Sequence, residues 1–193
     1  MSVKPILFNT DMVRAILDGR KSCTRRIIKP QPQGYFEVSE EPLYIYDTDG
    51  KQGKITPPYQ LGDILYVRET WCKGLERYIY RADYSDTEKF YCNGKEIEIK
   101  WHPSIHMPKE AARIWLKVTD VRVERLQEMW ASDASKEGIY FNKPTTADEM
   151  LMAFAKLWNS TIKESELDRY GWNANPWVWV IEFERCEKPK EEN

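Results

Sequence analysis

The residues that could do chemistry gather first in one basic turn. Arg20-Lys21-Ser22-Cys23-Thr24-Arg25-Arg26 follows an amphipathic stretch that stops at Gly19. An ammonium at Lys21, three residues before the Thr24 hydroxyl, can bind a phosphate or carboxylate, and Arg25 and Arg26 add guanidinium donors beside it. The same pair can also act as a nucleophile and its activator, provided burial strips the lysine of its proton. The plainer alternative is a solvated basic turn.

Other candidates are weaker. His102 and His106 stand four apart, a spacing that binds zinc on a helix, but Pro103 and Pro108 disfavour a helix there, and no metal site is expected. The chain carries 8 Trp and 11 Tyr, rings that fill cores and also stack on bases. Trp71, Trp101 and Trp115 are candidate platforms, with burial as the alternative. In Gly171-Trp172-Asn173-Ala174-Asn175-Pro176-Trp177, Asn175 either builds a turn or reads a base edge.

These side chains need elements to position them. Thr10 offers an N-cap for a helix carrying Met12, Val13, Ile16 and Leu17, and Gly19 offers its left-handed end. Short β-prone pieces at 35–38 and 43–46 lie beside Asp47-Thr48-Asp49-Gly50, a hairpin-turn signal. Strands are expected at 4–8, 64–71, 96–101, 112–126 and 177–183. In 112–126 the apolar parity shifts at Val121 and Val123, the mark of a β-bulge. Helices are expected at 132–137, closed by Gly138, and after the capping box Thr146-x-x-Glu149.

At 193 residues, 41% apolar and 31% charged, with 29 Lys+Arg against 31 Asp+Glu, the chain suits one globular domain and not a disordered tail or a uniformly basic nucleic-acid coat. Its first 30 residues hold seven Lys/Arg against two Asp, a local basic bias. No apolar run approaches the roughly 18–20 residues of a membrane span, and no signal-peptide core opens the chain. Four scattered cysteines (Cys23, Cys72, Cys92, Cys186) suggest free thiols and a cytoplasmic setting.

Ile16-Leu17-Asp18-Gly19-Arg20-Lys21, with Thr24 and Arg26, resembles the G-x-K-x-x-x-x-R signature of the ASCH family, barrels related to the PUA RNA-binding fold. Gly62-Asp63-Ile64-Leu65-Tyr66-Val67-Arg68-Glu69 resembles the family's next strand, and Trp179-Val180-Ile181-Glu182-Phe183 its closing one. With the segments 101–108 and 118–126 added, the chain looks most like phage- and prophage-encoded members. The resemblance implies an α+β fold, a small partly closed PUA-like β-barrel decorated by short helices. It would span 1–186, with inserted loops at about 31–60 and 73–110, and a frayed charged tail at 187–193.

That resemblance implies binding of RNA or a modified nucleoside or nucleotide, without a cofactor. The ligand-binding set is then Lys21, Arg25, Arg26, Lys117, Trp71, Trp115 and Asn175. It also implies an alternative, the acetylcytidine amidohydrolases of the family, with Thr24 as nucleophile and Lys21 as activator. Lys117 stands where those enzymes carry a Glu, and Glu69 is the substitute carboxylate. Ribonuclease action is a weaker enzymatic variant. A phage accessory or morphogenesis scaffold is the third reading.

Overall fold

Asn9 starts the first helix. Its Oδ1 accepts from the Met12 amide at 2.9 Å and caps α1 (Thr10–Leu17), which follows β1 (Val3–Leu7). The cap thus falls one residue before the expected Thr10, while Val13 and Ile16 are buried as their spacing requires. Gly19 ends the helix at φ +73°, where a side chain would be strained. The structure is a computed structural model describing residues 2–32, 35–40, 43–47, 53–74, 76–92 and 94–190. The Asp49-Gly50 turn and residues 191–193 of the tail lie outside the described residues.

The remaining elements run in order: β2 (Cys23–Ile27), β3 (Phe36–Glu40), β4 (Leu43–Asp47), β5 (Lys54–Ile55), β6 (Ile64–Arg68), β7 (Trp71–Lys73), β8 (Tyr78–Tyr80), β9 (Phe90–Cys92), β10 (Lys95–Ile97), β11 (Trp115–Arg125), α2 (Ala131–Lys136), α3 (Ala147–Ser160), α4 (Leu167–Tyr170) and β12 (Trp177–Cys186). The strand expected at 96–101 is only the short β10, and α4 was not expected.

Five strands form the main sheet in the order β1-β6-β11-β12-β2, with β1 and β6 parallel and the other pairs antiparallel. The expected bulge lies between Val118 and Asp120, where the β11–β12 register shifts. β12 is the spine of this sheet. Trp179, Ile181 and Phe183 join the core shared with α1, while Val178 and Val180 join a second core with Phe154 and Trp158 of α3. Each such fully buried side chain contributes about 1.5–3 kcal/mol, so both faces of one strand hold the helices in place.

The fold class is α+β, but the sheet does not close into the expected barrel. β1 and β2 are its two edges and do not pair with each other. Side chains cross the interval instead. The Arg26 guanidinium on β2 donates to the Leu7 carbonyl at 3.3 Å, and Phe8 packs on Phe183 with ring centroids 6.1 Å apart.

Candidate functional site

The basic turn is anchored at the place where β2 begins. Lys21 follows the left-handed Gly19 and forms an isolated bridge with Glu137, the residue that ends α2. Its side chain is fully buried, and its ammonium donates to Cys23 O at 2.7 Å, Glu137 O at 2.9 Å and Glu137 Oε2 at 2.8 Å. Three donors therefore meet three acceptors. Burial pulls Lys21 below the ordinary lysine value, and the Glu137 carboxylate works against that pull.

Arg25 enters the same cluster from the sheet face under α2 and α3. Its guanidinium lies 3.3 Å from Glu137 Oε1, 3.3 Å from Glu124 Oε2 and 3.8 Å from Asp133 Oδ2, and its Nε is buried without a hydrogen-bond partner. Cys23 sits beside these groups, and burial, reinforced by the Glu137 charge, pushes its thiol up to about 12. Two buried cations are thus met by three carboxylates. Neither Lys21 nor Arg25 has charge to spare for an incoming phosphate.

Thr24 and Arg26 point the other way, because alternate residues of a strand occupy opposite faces. Thr24 is buried opposite Ile181. Arg26 is half-buried, and its guanidinium donates to the Arg25 carbonyl at 3.4 Å and the Leu7 carbonyl at 3.3 Å. It forms no salt bridge among the described residues. The ammonium of Lys21 and the guanidinium of Arg26 both approach the Phe8 ring, at 5.4 and 5.6 Å from its centroid.

The other expected site residues lie elsewhere. Glu69 is buried in a two-pronged pairing with Arg113, at 2.9 Å for each oxygen, and Arg113 continues to Asp83. Lys117 is exposed on β11 opposite Glu184. Trp115 is buried against Tyr66, at 6.0 Å, which closes its faces to stacking. Trp71 is half-buried between His102 and Tyr78. Trp101 packs with Phe90, Tyr84 and Arg81. Asn175 takes the left-handed conformation at φ 46°, and its Oδ1 accepts from the Gln127 amide at 2.8 Å, the geometry of a turn builder.

Glu137, Glu124 and Asp133 are the cluster members that sequence reasoning missed. A signal existed for Glu124: Asp120, Arg122 and Glu124 alternate along β11 and therefore share one face, where Arg122 pairs with both at 2.6 Å and with Glu182 at 2.9 Å. Glu137 carried only its place before Gly138.

Among the described residues no helix is long and apolar enough to cross a membrane. No family model and no curated protein matches the chain. Among solved structures it is similar to the ASCH domain from Lactobacillus crispatus JV V101, at 14% identity and a TM-score of 0.44 over 95% of this chain and 79% of that one. It is also similar to the hypothetical protein PH0355, at 15% identity and a TM-score of 0.38 over 96% of this chain and 100% of that one. Likenesses of this degree place the chain in no family.

Proposed function

We propose that the protein binds RNA or a modified nucleoside at the unclosed edge of the main sheet, with Arg26 as the phosphate-recognising group. One observation carries the reading. Lys21 and Arg25 are neutralised by carboxylates, whereas Arg26 is half-buried at the open edge with only two long bonds to carbonyls. A planar guanidinium in that state gains most from a two-pronged contact with phosphate. The charge balance of the whole chain, 29 Lys+Arg against 31 Asp+Glu, suits a local contact and not a long duplex footprint.

The test is fluorescence anisotropy with a single-stranded RNA oligomer at several salt concentrations. Arg26→Ala is expected to weaken binding several-fold and to flatten the salt slope by about 0.7, the value of one phosphate contact. Arg26→Lys should keep part of the affinity, and Lys117→Ala should behave as wild type. Absence of binding by the wild type at low salt, or an unchanged Arg26→Ala, would overturn the proposal.

A hydrolytic reading has its own support, because Glu137 supplies next to Lys21 the carboxylate for which the sequence offered Glu69. In that reading Lys21 must first give a proton to Glu137 and leave its three acceptors to reach Thr24 on the opposite strand face; the Thr24 hydroxyl then attacks the acyl carbon of an acetylated cytosine nucleoside and the neutral amine takes its proton. The proton then passes to the departing amine, and water releases acetate from the threonine. Chromatography of acetylcytidine incubated with the protein decides it. Turnover retained in Thr24→Ser but lost in Thr24→Ala supports the chemistry, and none at high protein concentration sinks it.

A further inference from the structure

A second place in the molecule has the make-up of a ligand site, and it lies away from the Arg26 edge. A cavity of about 390 Å³ opens between α2 and the first turn of α3, lined among others by Ser132, Ser135, Tyr140, Lys143, Thr145 and Met150. Its size lies within the roughly 300–1,000 Å³ of small-molecule sites. Met150 and Ile139 make a half-buried apolar floor packed on the α3 core. Ser132 and Ser135 stand three apart on α2, so their hydroxyls share one face.

Two features of the lining select its ligand. Tyr140 is 66% exposed, yet its ring is held from one side by the Arg20 guanidinium, 5.3 Å from its centroid. Arg20 is in turn fixed by the Gly138 carbonyl at 3.2 Å and by Asp18 at 2.7 Å. The ring is a backed platform of the kind that stacks on a planar base. The second feature is charge. Lys143 forms no ion pair among the described residues, whereas Lys136 on α2 lies near Asp133 and Glu182. Among the described residues no carboxylate lines the cavity. The pocket beside β9 and β10 differs, lined by Asp86, Glu88, Glu96 and Glu98, with Arg81 and Lys89 already paired to Asp86 and Glu96. The start of α3 is already satisfied by the Thr146–Glu149 capping box, which leaves Lys143 as the group for an anion.

We propose that this cavity binds a nucleoside monophosphate, the base stacked on Tyr140, the phosphate at Lys143 and the sugar hydroxyls at Ser132 and Ser135. The proposal is independent of the Arg26 edge. The experiment is isothermal titration of the full chain with adenosine 5′-monophosphate, adenosine and inorganic phosphate in parallel. The expected result is saturable binding of the monophosphate at sub-millimolar concentration and weaker binding of adenosine. Tyr140→Ala should lose about tenfold, and Lys143→Ala should bring the monophosphate down to the affinity of adenosine. Both residues are exposed, so neither change threatens folding. No binding at millimolar nucleotide, inorganic phosphate binding as well as the monophosphate, or indifference to both substitutions would overturn it. Binding lost in Arg26→Ala but kept in Tyr140→Ala would also overturn it, while leaving the edge site standing.

Discussion

Lys21 joins two distant parts of the chain through a single nitrogen. Its bonds to Glu137 O and Oε2 tie the start of β2 to the end of α2, where a helix otherwise leaves carbonyls unsatisfied. Removing one member of a buried pair strands the other, at a cost of about 3–5 kcal/mol. Lys21→Met is expected to lower the unfolding free energy by that amount in urea, while Lys117→Met, on an exposed position, should stay within about 0.5 kcal/mol of wild type. Comparable values for the two would show that the cluster contributes nothing to stability. Cys23, in the same surroundings, has its thiol pushed up to about 12, mainly by burial. Iodoacetamide followed by peptide mass mapping should therefore label the half-buried Cys72 first and Cys186 more slowly, because burial and the Glu184 charge raise its thiol too, and spare Cys23 until the chain unfolds.

Between elements, a glycine makes one close approach. Gly138, after α2, has φ +97°, and a Cβ there would lie 2.9 Å from the Ala15 Cβ of α1. Gly62 has φ +80° with open space around it. Gly62→Ala is expected to cost about 1–2 kcal/mol of left-handed strain. Gly138→Ala should cost clearly more, because α1 and the turn must also separate; equal losses in thermal or urea unfolding would refute the close contact. Gly138 and Gly19 were legible as helix ends because capping is a local rule. The β11 bulge, the two faces of β12 and the Thr146 capping box were legible for the same reason. Glu137 was not, since 116 residues separate it from Lys21, and no local pattern states which carboxylate a buried ammonium will meet. Trp115 and Lys117 share the parity of one strand face, and only the neighbouring strand decides that Trp115 is covered by Tyr66 while Lys117 stays in water. The barrel failed as an expectation for a related reason: closure depends on whether two edges distant in the chain meet, which no local pattern states, and here β1 and β2 end the sheet unpaired with each other.

At the scale of the whole molecule, an open sheet leaves its first strand to be held by something other than a second neighbour. Among the described residues β1 pairs only with β6, in parallel, and Asp63 fastens that pairing from the turn before β6. Its carboxylate accepts from the Ser2 amide at 3.0 Å, the Ser2 hydroxyl at 2.8 Å, the Lys4 ammonium at 2.8 Å and the Gln60 amide at 3.1 Å. Burial pushes this carboxyl up, but the Lys4 and Ser2 side chains and the two amides outweigh it and hold the group down at about 2, against an ordinary 3.8. A folded-state value below the unfolded one means that the unfolded chain takes up the proton first on acidification. The stabilisation is therefore complete above the ordinary carboxylate range and is lost as pH falls through about 2. Its size from that difference is about 2 kcal/mol. Unfolding free energies of wild type and Asp63→Asn should accordingly differ by about that much at neutral pH, and the gap should narrow steadily below the ordinary carboxylate range. A gap that stays constant on acidification would show that Asp63 holds β1 through shape alone; a gap that widens would reverse the sign of the argument and remove Asp63 as the fastening of the sheet's open edge.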